Sequence, residues 1–128
     1  MKSKLEIIKE TYEFYNLNPS QRAIAPSNNR CEYITEDGRM CAVGRCLVNP
    51  LKFDNRSIND DVFASCINSS KFSKKVLKNF KAEYQLNDPE FWYDLQQFHD
   101  TVANWTTNGI TVTGKLNYND LIEKYATD

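Results

Sequence analysis

A helix that begins at Asp88-Pro89 is the sequence feature that most constrains this fold. Aspartate is a good N-cap, and proline suits the first helical position because the N–H group that it lacks would have no partner there. Apolar residues then recur at steps of four, three, four and three: Phe91, Leu95, Phe98, Val102 and Trp105. The spacing predicts a helix that reaches Trp105 and directs one wide apolar face at a core.

Helical signals occur elsewhere along the chain. Ser3 followed by Glu6 is a capping box, and the apolar spacing after it predicts a first helix over about 4–16. A short helical turn is expected at 45–48, where Pro50 follows. The same kind of spacing predicts three more helices: one capped by Ser57 or Asn59, one over 72–84, and one capped by Asn117.

Residues 31–46 read CEYITEDGRMCAVGRC and predict a β-hairpin with strands CEYIT and RMCAV. A two-residue turn would pair Ile34 with Cys41, whereas a three-residue loop with a left-handed Gly38 would pair Tyr33 with Cys41. The second register is favoured because Glu-Asp-Gly suits a type I turn followed by a left-handed glycine, and it puts Cys31 and Cys41 on one face. ITVT at 110–113 is a candidate third strand.

Length and composition set the fold class. A chain of 128 residues with 41% hydrophobic residues is expected to form one domain, 1–128, with its own core. The elements predict a helix-rich α+β fold, in which the hairpin and the short third strand pack against about five helices. The net charge of −1 argues against a dedicated nucleic-acid coat or membrane-surface protein. Without a secretory or membrane-spanning pattern, a cytoplasmic location is expected.

The cysteines suggest two interpretations, metal binding and core packing. No C-x2-C pair occurs, although structural zinc sites usually contain cysteines two to four residues apart. Cysteine also behaves as a small buried hydrophobe. The sequence therefore predicts no cofactor and no metal, with a structural Cys/His cluster that holds zinc as an alternative.

Cys41 and His99 form a candidate catalytic pair. An imidazole next to a thiol lowers the thiol pKa, and a third polar group orients the ring. Cys41 would be the nucleophile and His99 the base, with Asp94, Gln96 or Asp100 as the orienting group. Gly44 would let a substrate backbone approach closely. The alternative is a histidine that bonds the hairpin from the helix and has no catalytic role.

A lysine face is a candidate binding surface. Five lysines recur at helical spacing opposite a set of apolar residues, and no acidic residue interrupts them before Glu83: Lys71, Lys74, Lys75, Lys78 and Lys81. Such a face can meet phosphates or an acidic partner surface, or it can simply be solvated.

Two motifs resemble those of small uncharacterised proteins of tailed bacteriophages and prophages. Residues 31–44 match C-x-Y-x-x-x-D-G-x-x-C-A-[VI]-G, and residues 95–100 match L-Q-x-x-H-D, followed by Trp105. The resemblance carries no known activity, but it implies one constellation: Cys31, Tyr33, Gly38, Cys41, Gly44, His99 and Asp100. The expected function is that of a phage accessory protein which binds a host or phage macromolecule, with a protein as the expected partner, as in host takeover or anti-defence. The alternatives are a thiol-dependent hydrolase or transferase, and a structural Cys/His cluster with no activity.

Overall fold

The computed structural model describes residues 1–22, 37–49 and 77–127. Within these ranges lie three α-helices: α1 (Lys4–Leu17), α2 (Pro89–Asp100) and α3 (Val112–Tyr125). An antiparallel hairpin joins β1 (Trp105–Thr106) to β2 (Gly109–Ile110), with Trp105 opposite Ile110. Single turns of 3₁₀ helix occupy Pro19–Gln21, Gly44–Cys46, Ala82–Tyr84 and Val102–Asn104. The described chain is thus a helix-rich α+β structure.

The predicted starts of α1 and α2 are confirmed. The Ser3 hydroxyl accepts a hydrogen bond from the Glu6 N–H at 3.1 Å, and the Asp88 carboxylate accepts one from the Phe91 N–H at 3.1 Å. Each side chain satisfies one of the N–H groups that the first turn of a helix leaves without an intrahelical partner. Local sequence therefore determines where both helices begin.

The prediction that α2 continues to Trp105 is wrong. The helix ends at Asp100, and the chain passes through a 3₁₀ turn into β1. Side chains beyond the end replace the donors of a further helical turn: the Asn104 amide donates to the Phe98 carbonyl at 2.9 Å, and the Trp105 indole N–H donates to the His99 carbonyl at 3.1 Å. The last carbonyls are satisfied in this way without further helix.

The start of α3 also differs from the prediction. Ile110 belongs to β2, but Thr111 is the N-cap of α3 and accepts a hydrogen bond from the Gly114 N–H at 2.9 Å. ITVT is therefore part strand and part helix start, and its strand residue pairs with Trp105. Asn117 lies inside α3 and is not its cap; its amide donates to the Asn104 side-chain oxygen at 2.8 Å.

The first strand of the predicted cysteine hairpin, and with it the pairing register, lies outside the described residues. The predicted second strand does not extend through Cys41-Ala42-Val43, which form a turn that leads into the 3₁₀ turn Gly44–Cys46. Hydrogen bonding explains the difference, because the Arg45 N–H bonds the Cys41 carbonyl at 3.0 Å. Gly38 has a φ of 88°, the left-handed conformation expected for it.

The helix predicted over 72–84 does not reach Tyr84. Phe80 forms an antiparallel bridge with Leu47, and the Lys81 N–H donates to the Cys46 carbonyl at 2.8 Å. Tyr84 lies in a separate 3₁₀ turn. Lys81 therefore does not continue a helical lysine face, because its backbone pairs with the chain around Cys46.

Buried side chains from all three described ranges form one hydrophobic core. The largest of them include Trp92 and Phe91 on α2, Tyr15 on α1, and Phe80. The Phe80 and Trp92 rings pack with their centroids 4.7 Å apart. Among the helices that the structure describes, none has the length and apolar character needed to cross a membrane.

Candidate functional site

His99 lies in the last turn of α2 and has no exposed surface. Its Nδ1 is 2.7 Å from an oxygen of the Asp100 carboxylate, which is one-quarter exposed. Burial lowers the pKa of His99 below its ordinary value, and the neighbouring carboxylate opposes part of that effect. The imidazole is therefore neutral at pH 7, with the proton on Nδ1 directed at Asp100.

Gln96 connects this helix end to a distant part of the chain. Its amide nitrogen donates to the same Asp100 oxygen at 2.8 Å, while its amide oxygen accepts a hydrogen bond from the Val43 N–H at 3.2 Å. Both ends of the Gln96 side chain are used, and the residue is completely buried. α2 is thereby hydrogen-bonded to the segment that contains Cys41.

Cys41 stands at the head of the 3₁₀ turn Gly44–Cys46. Its sulfur accepts a hydrogen bond from the Gly44 N–H at 3.2 Å, and the thiol is completely buried. The second described thiol, Cys46, is also buried, and burial raises its pKa to about 12. Cys46 therefore stays protonated at physiological pH and serves as a packing residue.

Tyr15 joins the same structure from α1. Its hydroxyl donates to the Met40 carbonyl, and its ring meets the His99 ring edge-on with centroids 4.8 Å apart. Tyr15 and Gln96 thus hold the residues on either side of Cys41-Ala42, and both also contact His99. We call this arrangement of Tyr15, the segment 40–44, Gln96, His99 and Asp100 the junction.

The second imidazole nitrogen has no partner among the described residues. Within this part of the chain, the Nε2 atom of His99 is buried and makes no hydrogen bond, so no such bond joins it to the Cys41 thiol. A bare, oriented imidazole lone pair can accept a proton or bind a metal ion. In the described ranges, however, no group of three metal-ligating side chains surrounds it.

The predicted site residues are distributed unevenly. The structure brings Cys41, Gly44, His99 and Asp100 into or beside the junction, whereas Gly38 lies in an exposed turn. Lys78 and Lys81 are exposed. The remaining predicted residues lie outside the described residues: Cys31, Tyr33, Lys71, Lys74 and Lys75.

Two residues that contact His99, Tyr15 and Arg22, have no identifying signal in the sequence. Tyr15 is one of several apolar residues of α1, and Arg22 is a loop cation whose direction the sequence leaves undetermined. The Arg22 guanidinium in fact donates to the His99 carbonyl at 3.0 Å and to the Asp100 carbonyl at 3.4 Å. A cation at this position interacts favourably with the negative, C-terminal end of the α2 dipole.

Trp105 of β1 lies beside the junction. Arg22 lies 5.7 Å from the centre of the Trp105 ring, so this indole contacts a cation on one face while its N–H holds the end of α2. The candidate site residues therefore lie at a closely packed helix end. In comparisons with known proteins, no family model, no curated protein and no solved structure matched this chain.

Proposed function

We propose that this chain is a small accessory protein of the phage type, which acts in the cytoplasm of the host by binding a host or phage protein. The two motifs that carry the resemblance lie far apart in sequence, and the hydrogen bond from Val43 to Gln96 joins them at 3.2 Å. Side chains of both motifs are used in holding that junction together. Because these side chains are used inside the fold, residues on the outer surface would make the contacts with another molecule.

The observation that carries this proposal is the complete burial of the candidate reactive groups. Cys41 and His99 both have 0% of their surface exposed. An enzyme must admit its substrate to the nucleophile and the base, usually through a cleft. The Cys41 sulfur instead accepts a backbone hydrogen bond, as expected of a residue that supports the fold.

Exposed apolar side chains near the start of α3 support binding. Val112 is 81% exposed, and Leu116, one helical turn later, is 60% exposed. Val102, also 60% exposed, is close by because the Thr111 hydroxyl donates to the Ala103 carbonyl at 2.5 Å. Apolar residues grouped on a surface favour contact with another protein.

The lysine set remains a second candidate binding surface, suited to an acidic or phosphate-bearing partner. Its two described members, Lys78 and Lys81, are exposed. Because Lys81 is held in a backbone bridge and does not lie on a common helix with Lys78, the set is not one continuous helical stripe. We therefore rank it below the apolar group on α3.

Thiol labelling tests whether the junction is structural. A Thr107→Cys variant supplies an exposed reference thiol in the β1–β2 turn. Under native conditions at neutral pH, we expect iodoacetamide to modify Cys41 about 100-fold more slowly than this introduced thiol, because labelling of a buried group must wait for local opening. Mass spectrometry of the cysteine peptides measures both rates, and denaturant should make them equal.

Reconstituted binding tests the function itself. A partner captured by cross-linking in host lysate would be purified and titrated with the wild-type chain and with Cys41→Ser. Equal affinities are expected, because the thiol supports the fold and does not touch the partner. A complex that forms only with the thiol present, or Cys41 labelling as fast as the reference, would contradict the proposal.

A second function is favoured by one specific observation, the buried Nε2 of His99, which has no hydrogen-bond partner among the described residues. With Nδ1 held by Asp100, Nε2 would be the base of a hydrolase or transferase, but the chain would first have to move so that the Cys41 thiol, which is not hydrogen-bonded to Nε2, could give it its proton and become a nucleophilic thiolate. The labelling experiment separates the two functions, because a thiolate poised for attack reacts quickly below the pKa of a free thiol.

A further inference from the structure

A groove of about 290 Å³ runs between α2 and α3, on a different side of α2 from the junction residue Gln96. Apolar side chains of both helices, Phe98 and Leu121, contribute to its lining. Polar side chains surround them, among them Gln97, Asn117 and Asp120. An apolar surface with polar groups around it is suited to receive a side chain of another molecule.

The charge around this groove is negative. The Lys124 ammonium lies 3.0 Å from the Glu90 carboxylate and 2.7 Å from that of Asp94, so its charge is already compensated. Asp120 and Glu123 are exposed, and no cation in the described part of the chain pairs with either of them. Asp94, Asp120 and the Glu90 carboxylate that pairs with Lys124 thus place three carboxylates near one ammonium, and the C-terminal end of α3 adds partial negative charge.

The outward face of α3 divides into an apolar half and an acidic half. Positions 112, 116, 120 and 123 fall on one side of a helix with 3.6 residues per turn. Val112 and Leu116 form the first half, and Asp120 and Glu123 form the second. A partner that covers this face must offer apolar side chains at one end and positive charge at the other.

We propose that the α2–α3 groove and this face of α3 dock a basic amphipathic helix of the partner protein. An apolar side chain of that helix would lie on Phe98 and Leu121, and its lysines or arginines would meet Asp120 and Glu123. Charge complementarity selects this occupant over an acidic one, because like charges brought together at an interface are repelled. The inference rests on the proposed function and specifies the chemistry of the partner.

Fluorescence anisotropy with two labelled synthetic peptides tests this surface. One is an amphipathic helix of leucine and lysine, and the other has glutamate at every lysine position. We expect only the basic peptide to bind the full chain, with an affinity that falls as salt is added. The double variant Asp120→Lys/Glu123→Lys should weaken that binding about tenfold, since two favourable pairs become repulsive.

Glu83→Lys is the matched control, because Glu83 is an exposed acidic residue in the 3₁₀ turn Ala82–Tyr84 that does not line the groove. It should keep nearly wild-type affinity for the basic peptide. Thermal unfolding of each variant verifies that the chain is folded. Absence of binding by the basic peptide, or equal losses in the α3 variant and the control, would overturn the docking site.

The captured partner separates this inference from the proposed function. If the partner binds the Asp120→Lys/Glu123→Lys variant as tightly as wild type, the groove assignment is wrong and the binding function stands. If the wild-type chain binds no partner at all, the proposed function itself is contradicted. Self-association of the wild-type chain that this variant abolishes would identify a second copy as the occupant and would also overturn the proposed partner.

Discussion

Among single residues, Gln96 has the most demanding hydrogen-bonding role in the junction. It is buried, and its side chain bonds both the Val43 N–H and the Asp100 carboxylate. Gln96→Leu keeps a side chain of similar size but leaves the buried Val43 N–H without this acceptor. We expect the variant to lose about 1–3 kcal/mol of unfolding free energy, the cost of an unsatisfied buried polar group, measured by urea denaturation.

Gln97→Leu is the matched control for that measurement. It makes the same substitution one position later on α2, where the side chain is exposed. Its unfolding free energy should stay within about 0.5 kcal/mol of wild type. Similar losses in both variants would mean that the change acts through helix propensity or general hydrophobicity, and that the Gln96 hydrogen bonds do not stabilise the junction.

At the scale of elements, the start of α3 depends on Thr111. Its hydroxyl accepts from the Gly114 N–H and donates to the Ala103 carbonyl, so it caps the helix and ties it to the preceding 3₁₀ turn. Thr111→Ala should lower the unfolding free energy by about 1 kcal/mol through loss of the cap. Thr113→Ala, an exposed site inside α3, should be neutral or slightly stabilising because alanine favours helices. Circular dichroism during urea unfolding measures both; equal losses would count against the cap.

The same elements show what local sequence can predict. Asp88-Pro89 marks the start of α2 because both the cap and the first helical residue act within a few positions of each other. The prediction places the start of α3 too late because Asn117 is also a good cap residue, while Thr111 lies in a run of β-formers. Tertiary contact decides between them, since the Ala103 carbonyl that holds Thr111 is itself fixed by the turn after α2.

The candidate site divides in the same way. Gln96 meets His99 and Asp100 through i, i+3 and i, i+4 spacing on one helix, which sequence predicts, whereas the contact between the adjacent residues His99 and Asp100 does not follow from helical spacing. Their contact with Val43 spans a long stretch of chain, and the resemblance of the two motifs was the only sequence signal for it. The Tyr15 and Arg22 contacts depend on how α1 and the loop after it pack against α2, and no pattern in their own neighbourhoods identifies them.

At the scale of the whole molecule, the junction is where all three described ranges of the chain meet. α1 contributes Tyr15, the middle range contributes the segment 40–44, and α2 contributes Gln96 and His99. Because these parts are distant in sequence, their contacts form only in the folded chain. A change in the protonation of His99 should therefore change the stability of the whole fold.

His99 is the only histidine of the chain, and in the unfolded chain its imidazole titrates near its ordinary pKa of 6.5. Its pKa is lowered from 6.5 in the folded protein, so the unfolded chain binds its proton first as the pH falls. The free energy of unfolding should have its full value above about pH 6.5. Below that pH it should fall by at most about 1.4 kcal/mol per pH unit, until the folded-state pKa is reached. Urea unfolding across this range measures the decline.

His99→Gln should be less stable at about pH 7.5 but should show a much flatter dependence on pH. Equal slopes for the two proteins would mean that the buried imidazole is not the group responsible.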